Sequence, residues 1–193
     1  MKTDRNTWIL LGLMTLFTAL RWPELLPSNF SPVYAIFFCA GVYLKGTRGW
    51  GLPLCLMFIS DLTINIFYYP SNFGAVNSFM LISYPLYIGM ILLGRRMSSR
   101  SPAILLVGGG LLGGIVFYLV TNVFSWLIYP AYPKTFAGLW QAFTLGQVGW
   151  YPQAFEFFRN TLASSALFTA IIVYAVRYAR VSEKSEEEFQ LKV

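Results

Sequence analysis

The chain has 193 residues, 56% of them hydrophobic, 18% aromatic and only 11% charged, with a net charge of +6. A soluble domain carries about 25% charged residues, so this composition excludes a water-soluble globule, and its wealth of aromatic residues excludes a disordered chain. There is no histidine, which excludes Ser-His and Cys-His nucleophile pairs, a histidine base and histidine-ligated zinc or haem.

The expected fold is all-α and integral to a membrane, with six transmembrane helices. The first apolar run, 8–21, follows a basic start. It is followed by Arg21-Trp22-Pro23 rather than by a small-residue cleavage site, so it reads as a retained helix. The second, 32–45, opens with Ser31 as N-cap and Pro32 at the first helical position. It is short, so the loop before it (23–29) is expected to dip below the surface. Spans at 50–69, 76–94, 103–128 and 155–177 reach or approach the ~20 residues that cross hydrocarbon. Trp8, Trp22, Trp50, Tyr68, Tyr69, Trp126, Tyr129, Trp150 and Tyr151 gather near their ends, as an interfacial belt requires. Cys39 and Cys55 lie inside apolar runs and form no CxxC pair, which fits packing residues. The six spans make one domain, 1–180, followed by a charged tail, 181–193.

Basic residues set the expected orientation. Lys2, Arg5, Lys45, Arg48, Arg95, Arg96, Arg100, Arg177, Arg180, Lys184 and Lys192 fall on one side of a six-span topology. Only Arg21, Lys134 and Arg159 fall on the other. By the positive-inside rule the first side is cytoplasmic, and so are both termini. For a bacterial chain this means the inner membrane.

A few polar residues interrupt the apolar runs. Asp61 lies about 16 Å into the third helix from Trp50, with Asn65 one turn further on the same face. A charge at that depth costs at least roughly 2.5–3.5 kcal/mol, so Asp61 should face the bundle interior and have a partner. Thr121 and Asn122 on the fifth helix, and Glu156, Arg159 and Asn160 on the sixth, come to the outer half of the bundle. A polar chamber open to the outside explains the whole set. The simpler reading, interhelical hydrogen bonding alone, stays open for each residue taken singly.

The segment 129–153 is too apolar for a solvated linker and too broken by Gly and Pro for a seventh span. It carries a short amphipathic stretch, 136–145, that fits an interfacial helix or a lid over the bundle mouth, or simply a segment lying on lipid. Its aromatic rings with Gln141 and Gln147 suit a small ligand with flat apolar parts. On the fifth helix, Gly109 with Gly113 and Gly110 with Gly114 make overlapping GxxxG spacings for close helix approach, within the bundle or with another subunit.

Several stretches carry a resemblance: Asn29-Phe30-Ser31-Pro32-Val33, Ser60-Asp61-Leu62, Val120-Thr121-Asn122-Val123 with Trp126, Tyr132-Pro133-Lys134-Thr135 through Leu139, and Phe157-Phe158-Arg159-Asn160-Thr161-Leu162. Together they resemble a family of small bacterial inner-membrane proteins of uncharacterised function. That family looks related to the substrate-capture (S) components of energy-coupling-factor (ECF) vitamin transporters. The resemblance implies a six-helix bundle with both termini inside and a ligand pocket toward the outer face. It also implies a transmembrane coupling subunit with ATPases as partner. Such components often dock that subunit through an AxxxA pattern on the first helix, where this chain has Thr15 with Ala19. A solitary protein or a different coupling partner therefore stays open.

The function expected from these readings is a membrane-embedded binding component for uptake of a small vitamin-like molecule. Asp61, Asn65, Asn122, Gln141 and Asn160 are the expected polar ligand contacts, Trp126, Tyr132 and Trp140 the apolar walls, and Arg159 the holder of an anionic group. Expected partners are the lipid bilayer and the small-molecule ligand, with no nucleic acid and no cofactor. No catalytic constellation is legible. A membrane enzyme acting on lipid or isoprenoid substrates, or an assembly subunit using the glycines of the fifth helix, are the alternatives.

Overall fold

Helix is dictated almost everywhere, because an apolar chain out of water satisfies its peptide groups most simply within each segment. In the computed structural model, which describes residues 5–68, 78–149 and 151–190, seven helices appear and the described residues contain no strand. They are α1 (Arg5–Ala19), α2 (Val33–Tyr43), α3 (Arg48–Phe67), α4 (Ser78–Arg95), α5 (Ala103–Ile128), α6 (Phe136–Thr144) and α7 (Ala154–Gln190). Lys2, Lys192, Tyr69, Trp150 and the start of the fourth expected span lie outside the described residues.

Three helices are long and apolar enough to cross a membrane: Arg48–Phe67, Ala103–Ile128 and Ala154–Glu183. Their outward faces carry Phe58, Phe67, Leu112, Leu119, Leu167 and Tyr174, all exposed. Such a surface suits lipid and not water. α1, α2 and α4 are apolar but shorter. α7 meets no Gly or Pro after Ala154 and runs unbroken into the charged stretch that begins at 181.

α2 is the centre of the bundle. Its sequence, VYAIFFCAGVY, is apolar on every side, and residues 33–41 are all buried. A helix without a polar face has to be enclosed, and α1, α3, α4, α5 and α7 all pack on it. Eleven residues rise only about 16 Å, roughly half the hydrocarbon thickness. The expected cap is displaced by one residue: Pro32 is the boundary, and the Ser31 hydroxyl accepts from the Val33 amide at 3.4 Å. Around α2 the rings interlock. Phe37 stacks on Tyr87 (4.3 Å) and Tyr87 on Phe117 (5.8 Å), while Phe17 meets Phe168 edge-on (4.8 Å).

Glycines set the helix spacings. Gly110 and Gly114 take the side chains of Thr169 and Ser165 from α7, while Gly109 and Gly113 receive Phe38 of α2 and Met90 of α4. All four thus serve contacts inside the bundle. A second pair was not legible in the sequence: a Cβ at Gly41 would strike the Ile91 carbonyl, and one at Gly94 the Phe38 carbonyl. These two positions let α2 and α4 meet backbone to backbone.

The two ends of the bundle differ in charge. At one end the Arg95 guanidinium donates to the Gly46 carbonyl (2.9 Å) and lies 4.2 Å over Trp50. Arg177 donates to the Ser101 carbonyl, and Arg180 reaches Ser99 while covering the Tyr43 ring. This basic end ties the 2–3 connection to α4 and the 4–5 connection to α7. The functional candidates lie at the far end.

Candidate functional site

The far end is built from the C-terminal half of α5, the start of α7, the 20–32 connection and the 129–153 segment. A half-open cavity of about 510 Å³ lies there, within the 300–1,000 Å³ typical of small-molecule sites. α5 supplies Phe117, Thr121, Asn122 and Ser125, and α4 supplies Ser83. The remaining wall comes from Asn29, Tyr129, Tyr132, residues 146–147, Tyr151, Pro152, Ala154 and Phe157. None of these residues is charged. A second cavity of about 590 Å³ follows the 20–32 connection and shares Asn29 and Phe157 with the first. Asn29 adopts a positive φ of 59°, which asparagine tolerates better than most residues.

Local sequence explains how the wall is held. Thr135 caps α6 by accepting from the Gly138 amide (3.2 Å), and Gly138 is needed because a side chain there would strike Pro133. Trp126 donates from its indole to the Pro133 carbonyl (2.8 Å), and Lys134 reaches back to the Trp126 and Tyr129 carbonyls. This closes the short turn that delivers Tyr132, which is buried, and burial pushes its hydroxyl above the usual tyrosine pKa. Gln141 donates to the Gly146 carbonyl (3.0 Å) and finishes α6. Tyr118, buried on α5, places its hydroxyl between the carbonyls of Phe143 (2.6 Å) and Ala154 (2.9 Å). One tyrosine thus pins both ends of the 145–153 stretch. Tyr118→Phe is expected to cost about 1–2 kcal/mol and to speed amide exchange in that stretch while leaving α5 protected. Hydrogen–deuterium exchange checks it.

Asp61 lies apart from the 510 Å³ cavity. Its carboxylate accepts from Arg21 (2.7 Å) through one oxygen and from the Tyr84 hydroxyl (2.9 Å) through the other. Arg21 also donates to the Ser60 hydroxyl (2.9 Å). The two charged side chains are only 17% and 15% exposed. The partner expected for Asp61 is therefore Arg21, which the sequence reading had placed among loop cations. The network ties the end of α1 to α3 and α4. Close by, Tyr68 donates to Glu24 (2.6 Å) and stands edge-on to Trp22.

Of the residues expected to meet a ligand, Asn122, Tyr132 and Gln147 come together in the cavity. Asn65 donates to the backbone carbonyl of Asp61 (2.8 Å), and Asn160 to the Ser28 carbonyl (2.9 Å), so both brace backbone. Trp126 and Gln141 brace the wall as described. Trp140 is 62% exposed on the outer face of α6, and Arg159 is exposed; neither lines either cavity. Asn29, Ser83, Phe157 and Tyr118 were missed. Asn29 and Phe157 carried a signal, since their stretches were already singled out. Among the described residues no group of three His, Cys, Asp or Glu is placed to hold a metal ion. The cavity offers hydrogen-bonding groups and aromatic faces.

Fold and site together define an all-α protein with membrane-type apolar helices and a neutral, aromatic-walled cavity opposite its basic end. The sequence matches a family of unknown function (DUF6580) over residues 1–187, and the chain belongs to that family. The match joins the chain to no transporter family. No curated protein and no solved structure matches the chain.

Proposed function

We propose that the protein is a membrane-embedded binding component for uptake of a small vitamin-like molecule, which it holds at the outer end of the bundle. The observation that carries this reading is the 510 Å³ cavity, uncharged, lined by Asn122, Thr121 and Ser125 on one side and by aromatic rings on the other. A site that captures and releases its ligand unchanged needs orientation and apolar contact, without an acid–base pair.

In this reading α1, α2 and α4 complete a six-span topology. The basic end faces the cytoplasm with both termini, as the positive-inside rule requires, and the membrane is the bacterial inner one. α6 lies at the outer interface with Phe136 and Trp140 turned to lipid, which their exposure supports. The chain has no nucleotide-binding loop, so uptake against a gradient needs an energy source outside it. An ECF-type coupling subunit with ATPases is the partner this reading implies.

The test is mass spectrometry of protein purified in mild detergent. One defined small molecule in near-stoichiometric amount is the expected finding, with at least tenfold less of it in Asn122→Leu. Preparations that never carry such a molecule, and that take none up when incubated with a water-soluble vitamin mixture, would sink the proposal.

A further inference from the structure

We infer that the α5 wall of the cavity is an acceptor surface, which takes the amino, amide N–H or hydroxyl groups of a small flat ligand. The inference rests on the reading of this cavity as a ligand site and names the chemistry it takes. Three neighbouring side chains on α5 use their protons on their own helix. Thr121 donates to the Phe117 carbonyl (2.8 Å), Asn122 to the Tyr118 carbonyl (2.8 Å) and Ser125 to the Thr121 carbonyl (2.9 Å). A hydroxyl has one proton. Thr121 and Ser125 therefore turn only lone pairs to the hollow, and Asn122 retains its carboxamide oxygen and one N–H.

The lining itself is uncharged, and two cations of this end are engaged elsewhere, Arg21 by Asp61 and Ser60, and Lys134 by the Trp126 and Tyr129 carbonyls. A carboxylate against this wall would lose its hydration and meet a row of acceptors, a desolvation without compensation there, since the donors of Asn29, Ser83 and Gln147 stand on other elements of the lining. An N–H or O–H group satisfies that row. A cationic amine gains further from the surrounding ring faces. Arg159, the expected holder of an anion, lies outside this lining.

The experiment uses matched probes on the full chain in lipid nanodiscs: benzamide, N,N-dimethylbenzamide, benzylamine and benzoate, followed by ligand-observed NMR titration. Benzamide and benzylamine are expected to bind at least tenfold more tightly than the other two, and Asn122→Leu to erase the difference. Thr121→Val serves the same purpose if that variant does not fold. Benzoate or dimethylbenzamide binding as tightly as benzamide would overturn the inference while leaving a binding cavity. Binding by none of the four, in a protein that also retains no small molecule on purification, would remove both the inference and the function beneath it.

Discussion

Replacing Asp61 by leucine is expected to destabilise the protein by about 2–4 kcal/mol, because it leaves the Arg21 guanidinium desolvated with only Ser60 beside it. Tyr84 loses its acceptor in the same step. The attraction within such a pair is largely cancelled by the cost of taking both charges out of water. Removing the two together is therefore much milder than removing one. Arg21→Met with Asp61→Leu is expected to recover half or more of the loss. Unfolding of the detergent-solubilised variants, arranged as a double-mutant cycle, measures the coupling. A loss under about 0.5 kcal/mol in the single variant, or a double variant no more stable than the single, would show that the pair does not anchor α3. The same variants separate anchoring from ligand contact: the cavity residues lie on other helices, so ligand retained by the double variant is the expected companion result.

The second large effect belongs to the α2–α4 contact. Gly41→Ala and Gly94→Ala each place a methyl group against a backbone carbonyl of the facing helix, Ile91 in one case and Phe38 in the other. A carbonyl inside a helix cannot rotate away, so the helices must separate, and overpacking of this kind costs about 1–3 kcal/mol. Values at the upper end are expected. Gly110→Ala meets only the Thr169 side chain, and Gly108→Ala meets nothing within 4 Å. The expected order of stability is Gly108→Ala near wild type, Gly110→Ala intermediate, and Gly41→Ala and Gly94→Ala lowest. Thermal unfolding of the four variants in one detergent settles it. Gly94→Ala as stable as Gly108→Ala would remove the backbone contact from the account of the fold.

These contacts also show where a sequence can be read and where it cannot. α5 coincides with the fifth apolar run, 103–128, and α6 with the amphipathic stretch at 136–145, where Thr135 is the cap. Both depend on neighbours along the chain: an unbroken apolar run between polar ends, and a capping hydroxyl three residues before an amide. The GxxxG spacings were legible for the same reason, whereas Gly41 and Gly94 carry no spacing to reveal them. The paired state of Asp61 was legible as a requirement, since a buried charge needs a partner, but Arg21 as that partner was not. Forty residues separate the two, and nothing local distinguishes Arg21 from a cation at the surface.

Composition and order along the chain therefore determined that long apolar helices form, where α5 and α6 start and stop, and which connections collect the arginines. The tertiary structure alone decided which polar groups share the far-end cavity. The physical reason is that these helices are apolar around most of their circumference. Such helices carry no inside–outside pattern, so the face that Asn122 turns to the hollow is chosen by packing against the other helices.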